Sequence, residues 1–264
     1  MAAYEAFLSE LKKNGLDEKV EISAVAGFSL GEYSALTAAG VIEDIGEGVD
    51  IVAKRGVLMK EAGLDENGEN KGAMVAGLGK REKILEAVEQ AREDGILEGV
   101  NFNSPKQTVV AGDKEAIERF CKVAAENKIK AIPLSVSTAF HSPMMVPAAE
   151  KLKDVLMEVK LKKPEKTVYA DLTADDYMKD YDGGDLQAYL VDIMSKQAMS
   201  PVYWEEIIRK FEADGVKAMV EIGPGTTLTG LTKKTCKGIE ALNVENVESL
   251  SETVSRIKEL ADGE

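Results

Sequence analysis

What most limits the fold of this chain is its alternation of short β-rich runs with amphipathic helical stretches from one end to the other. Neither kind of run can bury its apolar face alone, so the alternation specifies a layered α/β protein. Helices are expected at 3–14, 32–39, 47–62, 143–159, 185–197, 203–213, 226–234 and 249–261. Strands are expected at 21–26, 167–172, 217–222 and 239–243. In the first helix Tyr4, Phe7, Leu8 and Leu11 share one face, and Asn14-Gly15 ends it.

Residues 72–137 carry their own order of elements. Gly72–Leu78 reads as a strand, Glu82–Arg92 as a helix, Leu97–Asn103 and Gln107–Ala111 as strands joined through Ser104-Pro105-Lys106. Lys114–Asn127 then reads as a helix and Lys130–Val136 as a strand. That order, β-α-β-β-α-β, is the split βαβ arrangement of a small ferredoxin-like unit. The expected architecture is therefore a larger α/β unit with a parallel sheet, formed by 1–71 and 138–264, with 72–137 inserted in it.

Composition narrows the function classes. A formal net charge of −14 would repel the phosphates of a nucleic acid. No apolar run approaches the roughly 18 residues of a membrane span, and Met1–Lys13 lacks the basic start and apolar core of a secretory leader. The two cysteines, Cys121 and Cys236, are far apart with no CxxC pattern, which excludes a zinc site and fits a cytoplasmic protein. No motif calls for a cofactor or a metal. Lys233, Lys234 and Lys237 form the one short basic cluster, and a solvated helix end is the simpler reading of it.

One local pattern points to chemistry. Gly27-Phe28-Ser29-Leu30-Gly31 lies between the strand at 21–26 and the helix at 32–39, the strand–turn–helix setting of a nucleophile elbow. A Cβ at either glycine is expected to clash across the tight turn. The serine oxygen would then stand above the sheet edge. The Leu30 N–H and the positive end of the following helix would face the negative charge that develops on an attacked carbonyl.

A serine hydroxyl needs a base beside it. The chain has one histidine, His141, just past the last strand of the inserted unit, at the expected cleft between the two units. About 120 residues follow it, so the order is not the Ser…Asp…His order of α/β-hydrolases, and no Asp or Glu stands out as a third member. A backbone carbonyl is expected to hold the imidazole.

With these residues in place, the chain resembles the malonyl-CoA:acyl carrier protein transacylases. The matching segments are Gly27–Leu36, Ala53–Gly56, Val100–Pro105, Ala139–Met144, Ser200–Trp204 and Glu221–Gly225, in the family's order and spread along the whole chain. The resemblance implies an α/β-hydrolase-like larger subdomain with a parallel sheet and a ferredoxin-like insertion. It implies a transfer in which Ser29 takes a malonyl group from malonyl-CoA and the phosphopantetheine thiol of acyl carrier protein collects it, with His141 as base. Arg55 matches the arginine that pairs with the malonate carboxylate, Phe140 a position associated with malonyl over bulkier units, and Tyr203 the position whose carbonyl orients the histidine. A monomer with no metal and no cofactor is implied. The family pattern also places a strand and a Gly-Gln-Gly-x-Gln turn ahead of the segment that matches residue 1, so the chain is expected to lack that part.

Arg55 can be read from its own surroundings as well. It lies mid-helix with Ile51, Leu58 and Met59 at helical spacing, toward an apolar region where a guanidinium wants a carboxylate. A surface arginine that snorkels fits the same spacing. Two other functions stay open at this point: a serine esterase or thioesterase, which would need a carboxylate third member, and a fragment that binds thioesters without transfer.

Overall fold

The computed structural model describes residues 1–136 and 138–263. The expected boundary at 137–138 and the end at 264 touch Ser137 and Glu264, which lie outside the described residues.

Four helices form the centre of the molecule: α2 (Leu30–Ala38), α3 (Ile45–Ala62), α6 (Val146–Met157) and α7 (Leu186–Gln197). Their apolar faces meet in the largest core, where Leu36, Ile51, Met145, Leu152 and Leu190 are shut off from solvent. α3 begins at an Asp44 cap whose carboxylate accepts from the Glu47 N–H, satisfying an amide that has no partner in the helix itself. A 3-10 turn at Pro143–Met145 leads into α6.

The middle of the chain forms a four-stranded antiparallel sheet. It contains β2 (Gly72–Leu78), β3 (Leu97–Ser104), β4 (Gln107–Asp113) and β5 (Lys130–Pro133), in the order β3-β4-β2-β5. α4 (Arg81–Arg92) and α5 (Lys114–Glu126) cover one face, where Val75, Ile84, Val88, Val110 and Phe120 pack together. The period-2 alternation puts Met74, Ala76, Val109 and Ala111 on the other face, and these join the large helical core. β2, β3 and β4 are therefore largely buried on both sides, while β5 at the edge stays mostly exposed.

Parallel pairing occurs elsewhere, in two separate pairs. β1 (Ala24–Ala26) pairs with β6 (Thr167–Tyr169), Val25 opposite Val168. β7 (Ala218–Ile222) pairs with β8 (Glu240–Val244), Val220 opposite Leu242. Among the described residues no ladder joins the pairs. A cavity of about 790 Å3 lies between them, lined by residues of both β1 and β7 and by Gly27, Phe28 and Gly31. All residues of β1 and β7 are half-buried.

Four strands are shorter than the sequence suggests, β7 by its first residue alone. β1 begins at Ala24 rather than 21, and β6 ends at Tyr169 rather than 172, because the Ala170 N–H turns to the Asp175 carbonyl and ends the ladder. β5 stops at Pro133, where its register with β2 ends at Val75. Around the second parallel pair, α8 (Trp204–Ala213) and α9 (Thr227–Thr235) pack on one another through Trp204, Ile208 and Leu231. α1 (Ala2–Lys13) and α10 (Val247–Asp262) pack through Phe7, Leu11, Val254 and Ile257. No helix among the described residues is long and apolar enough to cross a membrane.

Two consequences of this arrangement place the site. β1 and β6 run side by side in the same direction, so the residues just beyond them, Ser29 and Asp171, are brought together. Carboxyl ends of parallel strands are where α/β proteins gather their functional groups. α3 and α7 flank the same point and supply Arg55 and Gln197.

Candidate active site

Ser29 stands at a sharp bend between β1 and α2, with φ 50° and ψ −102°. An L-residue with positive φ outside a glycine costs on the order of 1–3 kcal/mol and persists only where the surroundings over-determine it. Gly27 is one determinant. A Cβ there would lie 2.0 Å from the carbonyl carbon and oxygen of Gly31, so no larger residue fits without backbone movement. Gly31 differs from the sequence expectation: a Cβ at that position meets nothing within 4 Å, because it opens toward the cavity behind the turn. One of the two glycines is sterically required.

The Ser29 Oγ lies 2.7 Å from His141 Nε2. The imidazole is buried, and its Nδ1 faces two backbone carbonyls, Gln197 at 3.1 Å and Ser200 at 3.0 Å. Carbonyl oxygens only accept, so Nδ1 carries the proton and Nε2 is left to accept from the serine hydroxyl. Burial, reinforced by the Arg55 charge, pushes the imidazole pKa down to about 4. At neutral pH the ring is therefore uncharged and able to receive a proton. His141 also has positive φ, 62°, and its N–H reaches the Ala198 carbonyl at 3.3 Å.

The carbonyls that hold the ring are not the one inferred from the family pattern. Tyr203 uses its carbonyl to accept from the Ile207 N–H, the first bond of α8, and its ring stacks on Phe102 at 5.2 Å. The helix start takes that oxygen away from the histidine. The Tyr203 N–H donates to the Asp171 carbonyl at 2.9 Å.

Arg55 is 6% exposed and not a surface arginine. One Nη2 donates to Ser29 Oγ at 3.1 Å and to Gln197 Oε1 at 3.0 Å. The guanidinium lies 5.5 Å from the centre of the Tyr33 ring, a cation–π contact. Its Nε is buried and has no partner among the described residues. An unmatched donor beside the serine oxygen is a place for an anionic acceptor.

Leu30 opens α2, so its N–H is one of the first-turn amides that no intrahelical carbonyl can satisfy. Its side chain is exposed. Phe140 is half-buried against the large core, next in the chain to His141.

Sequence reasoning missed three buried groups. Gln197 is fully buried; its Nε2 donates to the Ser29 carbonyl at 2.7 Å and to Asp171 Oδ2 at 3.2 Å. Asp171 Oδ2 also accepts the Ser29 N–H at 2.6 Å. Glu32 Oε2 accepts the Asp171 N–H at 2.6 Å, and its other oxygen accepts the Tyr177 hydroxyl. Both acids are fully buried, and burial raises their carboxyl pKa values, with mutual repulsion adding to the shift of Asp171. Glu32 directly follows the Gly-x-Ser-x-Gly bend, and nothing in the sequence marks Asp171 or Gln197.

A serine held in a strained strand-to-helix bend, bonded to a neutral imidazole and faced by a guanidinium, defines a serine–histidine acyl-transfer protein of the α/β class. The model of the acyl transferase domain family matches residues 4–257. A malonyl CoA-acyl carrier protein transacylase of Haemophilus influenzae is 39% identical over 231 residues, covering 86% of this chain and 70% of that protein. The crystal structure of a malonyl CoA-acyl carrier protein transacylase from Clostridium perfringens superposes with a TM-score of 0.86 at 37% identity, covering 97% of this chain and 76% of the other. A malonyl-transacylase solved in complex with a type II PKS acyl-carrier protein superposes with a TM-score of 0.83 at 34% identity, over 95% and 78% of the two chains. This chain belongs to the acyl transferase domain family.

Proposed function

We propose that this chain moves a malonyl group from malonyl-CoA to the phosphopantetheine thiol of an acyl carrier protein, through a malonyl ester on Ser29, in fatty-acid biosynthesis. The observation that carries the reading is the convergence on one oxygen. Ser29 Oγ lies 2.7 Å from the imidazole that takes its proton and 3.1 Å from the guanidinium that reads the substrate's free carboxylate.

In the first half-reaction Ser29 Oγ attacks the thioester carbon while His141 Nε2 takes its proton. The oxyanion meets the Leu30 N–H and the positive end of α2. Collapse of the tetrahedral adduct breaks the carbon–sulfur bond, and the imidazolium protonates the departing CoA sulfur. The ester remains on Ser29. In the second half the carrier thiol gives its proton to His141 and attacks the ester. Ser29 leaves as the alkoxide and recovers the proton. Arg55 pairs with the malonate carboxylate through its spare donors, and Phe140, beside His141, narrows the space for a branched acyl group.

The printed names of the relatives, and one relative's complex with an acyl-carrier protein, support the choice of donor and acceptor. A monomer working in the cytoplasm, bound to neither nucleic acid nor membrane, completes the proposal. Intact-mass spectrometry after mixing with malonyl-CoA tests it. A malonyl adduct is expected on the wild-type chain, absent in Ser29→Ala and discharged by holo acyl carrier protein. Steady release of free malonate at the same rate without the carrier would make the chain a hydrolase instead. No adduct on a folded wild-type sample would end the reading.

A further inference from the structure

A strained nucleophile needs a group that holds it, and the fold supplies one that no part of the reaction uses. Asp171 is fully buried, and four polar links fix it. Its N–H donates to Glu32 Oε2 at 2.6 Å and its carbonyl accepts the Tyr203 N–H at 2.9 Å. Its Oδ2 accepts the Ser29 N–H at 2.6 Å and the Gln197 Nε2–H at 3.2 Å. The residue therefore cannot drift, and the serine is tied to a fixed point.

The consequences run through Ser29 and Gln197 together. Gln197 Nε2 also donates to the Ser29 carbonyl at 2.7 Å, so the amide on each side of the serine Cα is held within the same small network. The Gln197 side-chain oxygen accepts from Arg55, and its backbone carbonyl accepts from His141 Nδ1. One carboxylate oxygen thus joins the elbow backbone to a residue whose side-chain amide supports the guanidinium and whose backbone carbonyl supports the imidazole.

We propose that Asp171 is the positioning residue of this site: its Oδ2 pins the Ser29 backbone in its left-handed bend and so aims Oγ at His141 Nε2. The role asks for an acceptor oxygen at that point and not for a negative charge. Two features agree. Asp171 and Glu32 are neighbouring buried acids whose burial favours the protonated form, so full charge on both is disfavoured. The second oxygen, Oδ1, has no partner among the described residues, so the carboxylate is used through one oxygen only.

The proposal rests on the acyl-transfer reading for its kinetic arm, and a second arm stands without it. In the full chain, Asp171→Asn keeps an acceptor oxygen and Asp171→Val removes it at similar size. Single-turnover acylation of Ser29 by malonyl-CoA is expected to fall about 100-fold in Asp171→Val, the scale of a misplaced reacting group. The KM for malonyl-CoA should stay within about threefold, while Asp171→Asn restores the rate to within about threefold. The substrate-free arm is the 15N signal of His141 Nε2. It should keep its hydrogen-bonded position in Asp171→Asn and move to that of an unbonded acceptor in Asp171→Val.

Wild-type rate and nitrogen shift in a folded Asp171→Val overturn the pin, as does an Asp171→Asn that is as impaired as Asp171→Val. Should Asp171→Val not fold, Asp171→Asn decides alone: a near-native rate and shift support the proposal, and a loss beyond about thirtyfold overturns it. If the wild-type chain is not acylated by malonyl-CoA, the proposed function fails and the nitrogen shifts still judge the pin.

Discussion

The Gln197 side chain donates to the Ser29 carbonyl oxygen at 2.7 Å while its own backbone carbonyl accepts the His141 Nδ1 proton. A single residue at the end of α7 therefore sets the spacing of the Ser29 hydroxyl and the His141 imidazole from both sides. Replacing it by leucine keeps the volume and removes three side-chain links. The rate of serine acylation in Gln197→Leu is expected to fall about 10- to 100-fold, measured by quenched-flow mass spectrometry. A rate within twofold of wild type would remove Gln197 from the positioning network.

Arg55 Nε is buried and has no partner among the described residues, while Nη2 of the same guanidinium donates to the serine oxygen. Hydrogen bonds to a charged group contribute about 1.5–3 kcal/mol, so Arg55→Ala should shift the ratio of acetyl to malonyl kcat/KM upward about 10- to 100-fold. Arg55→Lys should recover only part of it, since a single ammonium cannot reproduce the fork. Competition between the two CoA thioesters measures the ratio, and an unchanged ratio would deny Arg55 the carboxylate.

The two glycines of the bend should behave oppositely. Gly27→Ala forces a Cβ against the Gly31 backbone and is expected to destabilise the chain by about 1–3 kcal/mol or more. Gly31→Ala meets open space in the first turn of α2 and should be neutral or stabilise by up to about 1 kcal/mol. Urea unfolding of both variants gives the comparison. Equal losses would mean that the turn is not packed as described.

The imidazole pKa of about 4 predicts an acylation rate that is flat through neutrality and falls as acid protonates His141, half lost near pH 4. Linkage gives the sign for stability. The unfolded chain binds this proton near pH 6.5 and the folded chain near 4, so the group withdraws stability as pH falls between them, by about 3 kcal/mol in full. The buried acids Glu32 and Asp171 act in the opposite sense: their folded pKa values are raised, so their contribution is present at low pH and is lost as pH rises through them. The two trends oppose one another in wild type. In His141→Ala the imidazole contribution is gone. Above the range where carboxyls held low by hydrogen bonds (Asp65, Asp175, Glu240, Asp262) titrate, the trend of the two buried acids is uncovered, so stability should decline from pH 5 toward pH 7. Chemical denaturation at pH 5 and pH 7 measures it, and a steeper rise toward neutral pH in the variant would contradict the assignment.

Much of this was legible in the sequence. β2 runs over the residues its pattern marks, because an antiparallel strand flanked by partners in the same unit is specified locally. The ends of β1, β5 and β6 were not, since a strand extends only as far as its neighbour does, and that neighbour is distant in the chain. In the site, Ser29 announces itself by its glycine spacing and His141 by being the one imidazole. Gln197, Asp171 and Glu32 carry no such spacing. They act from separate helices and loops on the backbone of the bend, and only the folded chain brings 29, 171 and 197 within hydrogen-bonding reach. Tyr203 shows the converse: a family position can predict a carbonyl that the local helix start has already engaged.

The clamp on the bend has a mechanical consequence. Asp171 takes hold of the Ser29 N–H and Gln197 of the Ser29 carbonyl, so both peptide planes that meet at the serine Cα are tethered from one direction. The hydroxyl is thus carried like a tool in a vice, with rotation about one side-chain bond as its remaining freedom. Amide exchange should register the grip, with the Ser29 N–H among the slowest in the bend.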